Sequence, residues 1–177
     1  MSIKKIFLTP LFCLPLSFSV LAQDKVSNTH WPTAYQWKKL SDSTRGNTRS
    51  VEYIPAKENK DNWTLKTVML TIPGSEPGRA DMDQNIKTIT ANIKKEAPNA
   101  MVKVIEENNK AANPYVLYTV ETPYFDKENK AMSQLFYMVE GDKGTYLSFV
   151  STKEASLTPE FVTTWSKFLK ESDLMYK

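Results

Sequence analysis

The stretch MSQLFYMVEGDKGTYLSFVS, residues 132–151, sets two β-rich runs on either side of Gly141-Asp142-Lys143-Gly144. Glycines flanking Asp-Lys supply the backbone freedom that a tight hairpin needs, so Met132–Glu140 and Thr145–Ser151 are expected to pair antiparallel. Working backwards, Asp126–Lys130 reads as a turn and Tyr115–Thr122, following Pro114, as an aromatic and β-branched strand. Glu106–Asn113 reads as a polar turn, and Met101–Ile105 as a short strand. Working forwards, Thr158-Pro159-Glu160 has the order of a helix start: a capping hydroxyl, proline at the first helical position and an acid in the first turn. Phe161, Val162, Trp165, Phe168 and Leu169 share one face of that helix and must bury it.

Upstream the period changes. Met82, Ile86, Ile89 and Ile93 recur at helical spacing within residues 78–99, with Asp81 as the expected cap, Gln84 in a capping-box position and Pro98 as the stop. Before this helix, Arg49–Ile54 alternates apolar and polar residues up to Pro55. Lys57–Asn62 is a charged turn, and Trp63–Ile72 resumes as a strand bounded by Pro73-Gly74. The expected order is therefore hairpin, helix, about four strands, helix. That is an α+β fold, with an antiparallel sheet of about six strands flanked by two helices. The chain divides into residues 1–22, a polar and aromatic N-terminal segment at 23–46, and one α+β domain at 47–177.

Residues 1–22 carry Lys4 and Lys5, an apolar run from Ile6 to Leu21, and Val20-Leu21-Ala22 before Gln23. This is the pattern of a secretory signal peptide. Thr9, Pro10, Pro15, Ser17 and Ser19 interrupt the run, which argues against a membrane anchor, and Cys13 sits too far from the expected cut for lipidation. The mature protein is expected to be periplasmic or secreted, without a stable membrane span. Removing 22 of 177 residues leaves 155, enough for one compact domain with a real core. Without Lys4 and Lys5 the 23 basic side chains fall to 21, against 20 acids, so the mature charge is near +1. Such a balance gives no reason to expect nucleic acid as a partner. The one cysteine, Cys13, leaves with the leader, so the mature chain has neither disulfide nor thiolate ligand.

The succession of elements from Val51 to Leu169, with Tyr53-Ile54-Pro55 followed by Asp61-Asn62-Trp63-Thr64, resembles small secreted bacterial proteins of Mog1/PsbP-like architecture. The resemblance implies an antiparallel sheet flanked by helices and an accessory or assembly role rather than catalysis; it implies no particular functional residue.

Catalytic motifs are scarce. His30 is the sole histidine, which rules out any site built on two imidazoles and leaves a serine triad only one candidate base, in a polar segment without a nucleophile elbow. Gly46, Gly74, Gly78, Gly141 and Gly144 make no phosphate-cradling loop. Glu106-Glu107 and Asp81 with Asp83 lack the ligand spacing of a calcium loop. We expect no cofactor and no metal. Carboxylate-based hydrolysis needs only two acids at a set separation, and Glu52, Asp61 and Glu121 are the candidates.

Aromatic residues are the most informative excess. Trp31, Tyr35, Trp37, Tyr53 and Trp63 fall in the first third of the mature chain, among prolines and polar residues. They form the candidate binding surface, because large rigid rings contribute contact area at low entropic cost. The leading expectation is a non-enzymatic accessory or binding protein of the bacterial envelope with a protein partner. The alternative is a binder of a small apolar or lipid-like ligand held between sheet and helix by Tyr115, Leu117, Tyr137 and Phe149.

Overall fold

The computed structural model describes residues 31–73, 82–123, 130–141 and 144–171. The expected leader, His30, the Asp81 cap and the turn at 126–129 lie outside the described residues. A 3-10 turn at Thr33–Tyr35 leads into β1 (Trp37–Arg45), β2 (Thr48–Pro55) and β3 (Leu65–Pro73). Then come α1 (Met82–Glu96), β4 (Met101–Asn108), β5 (Tyr115–Thr122), β6 (Met132–Gly141), β7 (Gly144–Thr152) and α2 (Pro159–Glu171). Among the described residues the strands form one antiparallel sheet in the order β1-β2-β3-β7-β6-β5-β4.

The fold is α+β, but the sheet has seven strands rather than about six. The additional strand is β1, which lies within the segment 23–46 read as a polar N-terminal stretch. It escapes a periodicity reading for a physical reason. β1 is an edge strand, most of its residues are exposed, and a bulge between Lys39 and Ser41 shifts the alternation midway. Gly46, at φ 59°, and Asn47 then close a two-residue turn that pairs Arg45 with Thr48. The other edge strand, β4, is also longer than expected. Glu106, Glu107 and Asn108, read as turn, continue the ladder against Leu117, Val116 and Tyr115 after a bulge at Ile105.

Cross-strand partners project to the same side of a sheet, so the register divides the core into two layers. Leu117, Tyr137, Ser148, Met69 and Val51 form one row across β5, β6, β7, β3 and β2. This side is closed by α2, whose Trp165 and Leu169 are buried against Leu117, Leu135, Tyr137, Val139 and Val150. The opposite row runs Tyr118, Phe136, Phe149 and Val68. On that side α1 lays its Met82, Ile86, Ile89 and Ile93 stripe over the rings. Tyr118 stacks on Phe136 with ring centroids 4.9 Å apart, and Phe149 meets Phe136 at a tilt with centroids 4.7 Å apart. Burial beneath α1 pushes the Tyr118 hydroxyl far above its usual range.

Local signals fit the elements they start and end. Thr158 Oγ1 accepts a hydrogen bond from the Phe161 N–H at 3.1 Å, capping α2. Lys94 and Lys95 occupy the last turn of α1, where cations suit the helix dipole. Gly144, at φ 150°, lies so close to the end of β3 that an added Cβ would stand 2.3 Å from the Ile72 carbonyl oxygen.

Candidate functional site

Three of the five candidate aromatics converge. Trp31, Tyr35 and Trp37 gather around Trp165 of α2, with ring centroids 6.1, 6.2 and 6.0 Å from it. Phe161 and Phe168 complete the cluster at 5.9 and 6.0 Å. The backbone brings the N-terminal rings there through the 3-10 turn and the left-handed Gln36 at φ 47°. The N–H of Ala56, just beyond β2, then bonds to the Gln36 carbonyl at 2.9 Å. Trp37 Nε1 donates to the Pro32 carbonyl at 3.0 Å, which fixes its ring.

Exposure differs sharply within the cluster. Trp31 is 6% exposed and Trp165 3%, so both are core, whereas Tyr35 is 42% exposed and Trp37 is half-buried. Tyr35 thus stands at the surface on a buried aromatic base, stacked against Trp165 and 5.3 Å from Trp37. The Trp31 indole N–H is buried without a hydrogen-bond partner among the described residues. The sequence pattern marks Trp165, Phe161 and Phe168 only as a core face, and only the long-range packing of α2 against the start of the chain makes them part of this site.

Tyr53 and Trp63 do not join the cluster. Tyr53 lies on β2, paired with Lys39 of the edge strand β1 and Thr67 of β3, and is half-buried. Trp63 precedes β3 and lies with two cations, Lys66 Nζ at 5.0 Å and Lys153 Nζ at 4.8 Å from its ring. Lys66 projects from the side of β3 opposite to Leu65 and Thr67, and it approaches Glu52 at 3.7 Å. The expected surface of five rings is therefore a compact group of three, with two rings elsewhere.

The residues of the other readings are also dispersed. Tyr115, Leu117 and Tyr137 face α2, but Phe149 faces α1, so the sheet itself separates them. Leu117 and Tyr137 are each 1% exposed and serve as core. Glu52 and Glu121 lie on β2 and β5 with three strands between them, roughly 19 Å apart by strand spacing, and they project to opposite sides. Two carboxylates that share a glycosidic bond stand within about 10 Å. Glu52 accepts from Ser41 Oγ at 2.9 Å, and Glu121 accepts the Leu157 N–H at 2.9 Å, anchoring the approach to α2. Asp61 sits in an exposed turn held by the Asn59 side chain.

A depression of about 550 Å³ opens on the outer flank of α2, lined by Thr163, Ser166, Lys167, Lys170 and Glu171. Lys170 reaches across to Glu106 on β4, which also accepts from the Tyr115 hydroxyl. These two hydrogen bonds hold the Glu106 carboxyl below its ordinary range. On β1 and β2, Arg49 and Lys39 clamp Asp42 from two sides and lower its carboxyl strongly. Among the described residues there is no cluster of His, Cys, Asp or Glu arranged to hold a metal. No described helix is long and apolar enough to cross a membrane.

No protein-family model matches this chain, and no curated protein matches it significantly.

Proposed function

We propose that this protein is an exported, non-enzymatic binding or accessory protein of the bacterial envelope that docks a protein partner through the aromatic surface around Tyr35 and Trp37. The observation that carries the reading is the position of Tyr35, largely exposed yet braced by Trp37 and the buried Trp165. A ring held this way adds contact area with little further loss of freedom, as interface anchors do. The leader-like residues 1–22 favour export. The dispersal of Glu52, Asp61 and Glu121 counts against carboxylate catalysis. The resemblance to Mog1/PsbP-like proteins favours an accessory role.

The test is co-isolation from envelope extracts with wild-type protein and with Tyr35→Ala. A discrete partner retained by the wild type and lost by the folded variant fits the proposal. Equal retention by both would place the contact elsewhere.

A further inference from the structure

The two edges of the sheet are protected unequally. β1 presents Lys38, Lys39, Asp42 and Arg45 along its length, a charged rim of the kind that discourages edge pairing. β4 does not. Of the five large apolar side chains left most exposed among the described residues, three lie on this one strand: Met101 at 57%, Val104 at 44% and Ile105 at 40%. An edge strand that leaves apolar side chains open to water is a template for another strand.

We propose that β4 is covered by β4 of a second copy of this chain, paired antiparallel about a two-fold axis between Val104 and Ile105. The argument for a second copy is the charge pattern of the strand itself. Met101-Val102-Lys103-Val104-Ile105-Glu106-Glu107-Asn108 is apolar and cationic in its first half and acidic in its second. Reversed upon itself about that axis, it sets Lys103 opposite Glu106 of the second copy, twice by symmetry, with Val104 and Ile105 meeting their counterparts at the centre. The bulge at Ile105 makes this match possible. Lys103 pairs with Thr119 and Glu106 with Leu117, two residues apart on β5, so both project to the α2 side. Glu106 is already aimed along that side by Lys170, and Lys103 of the second copy completes a cation–carboxylate–cation row. An isologous two-fold contact of this kind closes on itself and leaves the charged β1 edges outermost, which stops growth at the dimer. This surface is separate from the Tyr35 cluster, and the inference stands whether or not that cluster binds a partner.

Light scattering and sedimentation of the purified protein from ~1 to ~100 µM test it. The expected species is a dimer of twice the chain mass. Val104→Lys places two ammonium groups at the axis and is expected to weaken dimerisation by at least about tenfold. Because residue 104 is exposed, the far-UV circular dichroism of that variant should match the wild type, and its unfolding midpoint should match that of the wild type diluted to where it is monomeric. Lys103→Glu is expected to be monomeric alone and to form a heterodimer when mixed with Glu106→Lys. A wild type that stays monomeric over the whole range would overturn the proposal. So would a dimer indifferent to both Val104→Lys and Lys103→Glu, and so would open-ended polymers.

Discussion

Trp31 and Trp165 lie 134 positions apart in the chain and meet with ring centroids 6.1 Å apart. This contact ties the segment before β1 to the last helix and closes the α2 side of the core. Truncating either ring leaves a cavity in a fully packed layer, where Trp→Ala changes cost about 3–5 kcal/mol. Trp31→Ala and Trp165→Ala should each lower the urea midpoint by a corresponding amount at unchanged slope.

Tyr35 behaves differently although it touches the same Trp165. Its ring is largely in water, so Tyr35→Ala should cost under about 1 kcal/mol in the same denaturation assay. A loss as large as that of Trp165→Ala would mark Tyr35 as core and remove the basis for its role as a contact residue.

Gly144 begins β7 with a φ of 150°, facing the end of β3. Gly144→Ala should destabilise by about 1–3 kcal/mol, because the Ile72 carbonyl leaves no room for a Cβ and the backbone is strained for any L side chain. Thermal unfolding followed by circular dichroism reads this directly. An unchanged midpoint would mean that the β3–β7 ladder relaxes freely there.

Lys170 and Tyr115 hold the Glu106 carboxyl below its ordinary value of 4.5. A carboxyl whose folded pKa is depressed favours the native state at pH values above the unfolded pKa, and that contribution fades as pH falls from there through the folded value. The pair is partly exposed, so the effect is modest. Stability measured from neutral pH down into the acid range should fall less steeply in Glu106→Gln than in the wild type. Carbon-13 titration of the Glu106 side chain should give a midpoint below 4.5, and Lys170→Met should raise it. A midpoint unmoved by Lys170→Met would separate the lysine from the shift.

The central strands were legible because both their faces are covered. Tyr115–Thr122 and Met132–Glu140 read as dense apolar runs, and the Gly141–Gly144 turn announces the pairing of β6 with β7. The two helices declared themselves through Met82, Ile86, Ile89 and Ile93 and through Phe161, Trp165 and Leu169. The edge strands were not legible by the same signal. Residues 37–45 bury almost nothing and change phase at Leu40, and the second half of β4 is acidic and exposed, so neither carries an apolar period. Gly46-Asn47, a two-residue turn sequence between two polar runs, was the available sign of the β1–β2 hairpin. The candidate site was legible as a list of rings but not as a place. Local pattern could say that Trp31, Tyr35 and Trp37 need partners; only the crossing of α2 over the sheet brings Trp165 to them and leaves Tyr53 and Trp63 outside.

Site-specific photocrosslinking in the producing cell tests the account's central claim most directly, with a photoreactive phenylalanine analogue replacing Tyr35 in one strain and Trp63 in another. The account predicts a single discrete protein adduct in the envelope fraction from position 35, absent from position 63. No adduct at position 35, the same adduct from both positions, or recovery of the protein in the cytosol with Met1 intact would contradict it.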